Sequence, residues 1–138
     1  MNIHSIECKW QSEMAFAAQV NGHSIMLDAE EEFGGHNKGP RPKPLVLVAL
    51  AGCTAMDVIA ILSKMKLNVK SFTVKVDGEL AEEHPKTYQK IHITYQFEGD
   101  LPYEKVEHAV KLSQEKYCGV SAMLRKAAEL TYSIEISN

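Results

Sequence analysis

The sequence predicts an α+β domain in which antiparallel sheets wrap around a buried central helix. Three observations carry that expectation. Apolar and polar residues alternate at period two both before and after the middle of the chain, as half-buried strands require. Between those blocks, Leu45 to Leu50 is apolar on every face and opens a helical segment. An amphipathic helical pattern then precedes a last alternating stretch.

The elements follow in order. Ile3, Ser5 and Glu7 lead into Cys8 and Trp10, and Met14, Phe16, Ala18 and Val20 recur at alternate positions. Asn21-Gly22 then supplies the positive φ angles of a type I′ turn before His23 to Asp28, so three antiparallel strands are expected. Residues 30–44, dense in glycine, proline and charge, predict a long exposed loop of the kind that often carries function. A helix is expected from Leu45 to about Lys66, ended by Leu67-Asn68. Phe72, Val74 and Val76, then Ile91, Ile93, Tyr95 and Phe97, predict two long antiparallel strands joined around Glu82-Glu83-His84-Pro85. Asp100-Leu101-Pro102 opens a helix with Val106, Ala109, Val110 and Ser113 on one face. A break at Cys118-Gly119, a short helix through Ala128 and a closing strand from Thr131 to Ser137 complete the order β-β-β-α-β-β-α-α-β. No repeat, low-complexity block or linker divides the chain, so residues 1–138 read as one domain.

The first half of the central helix is too apolar for one small sheet to cover. A second copy of the chain is the simplest cover, which predicts a homodimer with this helix near its centre.

Composition narrows the function. The formal net charge is −3, no basic tract occurs, and the arginines are Arg41 and Arg125 alone, which argues against nucleic acid as a partner. The first residues have neither a basic n-region nor an apolar h-region, and no unbroken apolar stretch of spanning length is expected, so the reading is a soluble cytoplasmic protein without a membrane partner. In a reducing compartment three cysteines leave core packing, metal binding or redox chemistry rather than a disulfide framework.

Cys53 lies inside the apolar run from Leu45 to Met56, and Cys118 lies at a helix start far downstream. If the fold brings them together, the chain holds a nucleophilic thiol and a resolving thiol, enough to reduce a peroxide through a sulfenic acid and a disulfide. A free cysteine is more often a small buried hydrophobe, and Cys8 reads as a residue packed in a strand. The histidines are scattered without HxH or HxxxH spacing and no Cys-x-x-Cys occurs, so no metal site and no cofactor are expected. Met56, Met65 and Met123 fall at helical spacing and read as core.

These motifs together carry a resemblance. Asn21-Gly22-His23, the Gly34-Gly35 loop, Gly39-Pro40-Arg41-Pro42 leading into Leu47 to Cys53, the two-strand insertion and Tyr117-Cys118-Gly119-Val120-Ser121 resemble the OsmC/Ohr family of thiol-dependent peroxidases, in order along nearly the whole chain. The stretch from Gly52 to Asp57, Gly-Cys-Thr-Ala-Met-Asp, is similar to an OsmC-like subgroup. The resemblance implies an OsmC-like fold, an intertwined homodimer with active sites at the subunit interface, Cys53 as the peroxidatic thiol and Cys118 as the resolving one. It also implies an activating arginine from the N-terminal strands and a glutamate ahead of the cysteine. Here the strands hold no arginine, and Lys43 stands where the acid is expected. Arg41 or Lys43 is therefore a candidate for the positive charge that lowers a reactive thiol's pKa, whereas Asp57, one helical turn from Cys53, disfavours a thiolate.

Three function classes follow. The first is a stress-related thiol peroxidase acting on organic hydroperoxides, with an apolar pocket drawn from Leu47, Leu50, Met56 and Met123 and a thiol reductant to regenerate it. The second is a module binding a small apolar ligand without turnover. The third is a structural dimer whose cysteines are core residues.

Overall fold

The computed structural model describes residues 2–138 and divides into two compact units, one ending at Val46 and the other beginning at Leu47. The elements are β1 (Glu7–Ser12), β2 (Ala15–Val20), β3 (His23–Leu27), α1 (Pro44–Lys64), β4 (Ser71–Leu80), β5 (Tyr88–Glu98), α2 (Tyr103–Leu112), α3 (Gly119–Arg125) and β6 (Glu129–Ser137). The expected α+β order is observed. The last helix stops at Arg125 rather than running through Ala128, and β6 starts two residues earlier than the alternation suggests.

In the first unit β1, β2 and β3 form an antiparallel meander. The β2–β3 hairpin turns on Asn21 (φ 50°) and Gly22 (φ 79°), both in the left-handed region that a type I′ turn needs. Every residue of β1 is exposed, including Cys8, so the expectation that Cys8 packs within its strand is not met. The glycine-rich loop after β3 is more ordered than its composition implies, because buried Asp28 organises it. Asp28 Oδ1 accepts from Ala29 N–H (2.7 Å), and Oδ2 accepts from His36 N–H (3.2 Å) and Lys38 N–H (3.1 Å). Those backbone bonds, Lys38 and Ala29 foremost, hold the Asp28 carboxyl below the ordinary carboxylate range. Gly35 is required here because a Cβ at that position would collide with the Ala29 carbonyl. His36 Nε2 meets Glu13 Oε2 at 2.7 Å, and Arg41 donates to the Asn37 side chain.

The second unit is built on the sheet β4-β5-β6. Its central strand, β5, buries alternate residues Ile91, Ile93, Tyr95 and Phe97 on one face. β6 pairs parallel to β5, which corrects the expectation of antiparallel sheets throughout. The intervening α2 and α3 form the crossover that lets the chain return in the same direction, a connection no hairpin can make. Val106, Ala109 and Val110 of α2 close the core from the helical side.

Helix α1 contributes Leu50, Thr54, Val58 and Leu62, spaced by four, as a fully buried stripe on this core. Burying each large apolar side chain contributes about 1.5–3 kcal/mol. The helix ends where Lys66 takes a left-handed φ of 60° and Leu67 N–H reaches back to the Leu62 carbonyl, a Schellman closure. The outer face differs from expectation. Val48, Met56 and Ile59 stand exposed, Met56 at 73 %. Met56 and Met123 (65 % exposed) are thus not core in the single chain, whereas Met65 packs against the core. The expectation that no apolar stretch reaches spanning length also needs correction, since α1, at 21 residues, is long and apolar enough to cross a membrane by length and composition. Its Leu50, Val58 and Leu62 are completely buried in the core of the second unit.

Candidate functional site

The site forms where α1 meets the junction of α2 and α3. Cys53 lies on α1 beside the buried stripe, half-buried, and Asp57 follows one turn later. Beyond α2 the backbone widens into a single π turn, Ser113–Tyr117, in which Cys118 N–H bonds the Ser113 carbonyl at 2.7 Å. Such turns recur at functional sites because the extra residue re-aims side chains, and here Ser113 and Gln114 are both buried. Cys118 is then extended (φ −80°, ψ 100°) and caps α3, its Sγ accepting from Ser121 N–H at 3.3 Å as a serine oxygen would at an N-cap.

This arrangement brings together the two cysteines that sequence separates. Cys53 Sγ, Cys118 Sγ and a carboxylate oxygen of Asp57 all lie within 4.8 Å of one another. Cys118 is only 3 % exposed. Burial first, then the neighbouring Cys118 thiol, and more weakly the Asp57 carboxylate push the Cys53 thiol above its ordinary pKa, against a lowering bond from the Val120 backbone N–H.

Behind Asp57 runs a buried polar chain. Ser113 Oγ donates to Asp57 Oδ2 (3.0 Å), Ser113 Oγ pairs with Thr54 Oγ1 (2.7 Å), and Thr54 Oγ1 pairs with Tyr95 OH (2.6 Å). Gln114 Nε2 donates to Tyr95 OH (2.9 Å), and Arg125 donates to Gln114 Oε1 (3.0 Å) and to the Gln114 carbonyl (3.3 Å). A carboxylate only accepts and each hydroxyl has a single proton, so the direction is fixed: Gln114 donates to Tyr95, Tyr95 to Thr54, Thr54 to Ser113 and Ser113 to Asp57. The Tyr95 phenol, protonated at neutral pH at its ordinary value, is pushed further up by burial, to about 12. The chain fixes Asp57 from one side and is anchored by the Arg125 guanidinium at the other end.

None of Thr54, Tyr95, Ser113, Gln114 or Arg125 stands out in the sequence as a site residue. Ser113 reads there as one more position on the apolar face of α2. The available signal was the density of small polar residues around each cysteine: Thr54 beside Cys53, Ser113 and Gln114 just before Cys118.

The other sequence candidates are placed as follows. Arg41 and Lys43 belong to the first unit, Arg41 donating to Asn37. Leu50 is completely enclosed in the core, and Met56 and Met123 are exposed. A groove of about 170 Å³ is lined by Asp57, Ala60, Ile61, Lys64 and Tyr117, the neighbours of the cysteines along α1 and the π turn, without either cysteine itself. Larger hollows of about 530 and 540 Å³ lie over Gly78 and His92 and around Leu80 and Pro85, and neither contains a cysteine.

Comparison with known proteins places the fold and the family. Protein YhfA of Escherichia coli strain K12 is 38 % identical over 130 residues, covering 93 % of this chain and 94 % of its own. A hypothetical protein from Aquifex aeolicus VF5 superposes with a TM-score of 0.84 at 31 % identity over the whole of both chains. The organic hydroperoxide resistance protein OhrB of Bacillus subtilis shares the fold alone, with a TM-score of 0.68 at 12 % identity over 97 % of this chain and 98 % of its own. A family model described as OsmC-like protein matches residues 35–133. The chain belongs to the OsmC-like family.

Proposed function

We propose that this protein is a dithiol peroxidase that reduces organic hydroperoxides, with Cys53 as the attacking thiol and Cys118 as the resolving thiol. The observation that supports it is the approach of the two sulfurs to within 4.8 Å, one of them half-buried and the other deeply buried. The Cys53 thiolate attacks the distal peroxide oxygen, the O–O bond breaks, and the alkoxide takes a proton to leave as the alcohol. The Cys118 thiol then attacks the Cys53 sulfenic acid, water leaves, and the disulfide forms at about 2.05 Å between sulfurs. A cellular thiol returns the pair to the reduced state. The groove lined by Asp57, Ala60, Ile61, Lys64 and Tyr117 presents mostly apolar surface to an alkyl group despite its two charged residues, which favours organic hydroperoxides over hydrogen peroxide. Treatment of the reduced protein with cumene hydroperoxide, followed by peptide mapping, is expected to yield a Cys53–Cys118 disulfide with Cys8 left free. Three intact thiols, or Cys53 carried to the sulfinic acid without a bridge, would remove the resolving role of Cys118.

The working form in this proposal is a cytoplasmic homodimer. The exposed apolar face of Val48, Met56 and Ile59 on α1, with Met123 on α3, is the surface a second copy would cover. Light scattering at low concentration is expected to give twice the 15.4 kDa chain mass. A folded monomer there would overturn the dimer.

A second reading, a small-ligand module without turnover, is favoured by one observation. The groups that shift Cys53 include an acid and no cation, which is the opposite of the usual setting for an activated thiol.

A further inference from the structure

We infer that the reduced protein binds a divalent zinc ion through Cys53 Sγ, Cys118 Sγ and the Asp57 carboxylate, with the fourth position open to water. The inference goes beyond the peroxidase reading and does not rest on it. Sequence spacing gives no hint of such a site, since the ligands come from two turns of α1 and from the cap of α3.

The donor set and its surroundings both fit. Three ligand atoms within 4.8 Å of one another need only a small contraction, because a tetrahedral ion with Zn–S bonds of about 2.3 Å brings two sulfurs to roughly 3.8 Å. Two thiolates select zinc over magnesium or calcium, and a single carboxylate in place of a third thiolate suits a zinc site that keeps an open position.

Two of the donors have a hydrogen bond that orients them. Ser121 N–H serves Cys118 Sγ at 3.3 Å, and Ser113 O–H serves Asp57 Oδ2 at 3.0 Å. The Ser113 bond occupies one lone-pair position of the Asp57 carboxylate and leaves the others available to an ion. Ser113 is held in turn by Thr54, Tyr95, Gln114 and Arg125, so the carboxylate is already placed before the ion arrives. Ser121, whose N–H bonds Cys118 Sγ, is completely buried, and its hydroxyl has no hydrogen-bond partner among the described residues.

Metal binding and disulfide formation use the same two sulfurs and exclude each other. An organic hydroperoxide that oxidises the bound pair must release the ion: two thiolates, one hydroperoxide and two protons give the disulfide, an alcohol and water, and the zinc leaves without its sulfur ligands.

The test uses the full chain, reduced, chelator-treated and desalted, titrated anaerobically with cobalt(II) as the probe. One ion per chain with a near-ultraviolet sulfur-to-cobalt charge-transfer band is expected, displaced by zinc. The band should vanish in Cys53→Ser and in Cys118→Ser, and stay unchanged in Cys8→Ser. Ser113→Ala keeps all three ligands and is expected to weaken binding about 10- to 100-fold, with far-ultraviolet circular dichroism confirming the fold. No charge-transfer band in the wild-type protein, or a band that survives in the Cys53 variant, overturns the inference. Peroxide-driven disulfide formation measured in chelator reads the peroxidase proposal separately, so either can fail alone.

Discussion

Replacing Cys53 by serine is expected to reduce organic hydroperoxide consumption to the uncatalysed background, a loss on the order of 10³-fold or more, as for removal of other covalent nucleophiles. Cys118→Ser should behave differently. Without a second thiol the first turnover still breaks the O–O bond, so one equivalent of peroxide per chain is consumed and Cys53 stops at the sulfenic acid, where dimedone traps it. The pH profile separates this chemistry from that of a pre-activated thiol. The thiolate is the nucleophile, and burial together with Cys118 and Asp57 raises the Cys53 pKa. The rate in chelator-treated protein should therefore be low at neutral pH and climb as pH rises through that elevated value. Asp57→Asn removes one of the raising charges, so the midpoint should move down and neutral-pH alkylation of Cys53 should quicken. A profile that is flat from pH 6 to 9, or activity retained in the Cys53 variant, would exclude Cys53 as the attacking group.

The elements that sequence exposes here are those whose reason is local. Ile91, Ile93, Tyr95 and Phe97 alternate because β5 is buried on one face, and Asn21-Gly22 turns because its φ angles are positive. The direction of β6 is not local. It depends on the length of the α2–α3 crossover, and the alternation of Leu130, Tyr132 and Ile134 is the same for either sense. The site is split the same way. The two cysteines are visible as residue types, but the polar chain behind them is not. Thr54, Tyr95 and Ser113 each occupy a position that an apolar residue fills equally well by pattern, and only folding makes them one another's partners. Asp28 is a further case, since its role in ordering residues 29–38 lies in three backbone N–H groups that no side-chain pattern records.

Leu50→Ala is expected to destabilise the protein by about 2–5 kcal/mol while leaving the apparent affinity for organic hydroperoxides unchanged. By sequence Leu50 belongs to an apolar pocket around Cys53, since both lie in one apolar run. The geometry separates them, because Leu50 shares with Val58 and Leu62 the stripe of α1 that is completely buried against β5 and α2 residues, whereas Cys53 is half-buried. Truncation there removes methyl groups that touch only the core and leaves a cavity that the surrounding strand and helices fill only in part. In a chain of 138 residues a loss of that size lowers the melting temperature by roughly 8–20 °C, measurable by circular dichroism. A pocket residue would show the reverse signature, a small change in melting temperature and a raised KM for cumene hydroperoxide with little change for hydrogen peroxide. The control is Ile61→Ala, which opens the groove beside Asp57 directly and should change KM for the bulky peroxide more than Leu50→Ala does. If Leu50→Ala instead raises that KM and leaves the melting temperature within a degree or two, the substrate reaches the inner stripe of α1 and the groove along Ile61 and Tyr117 is not its route.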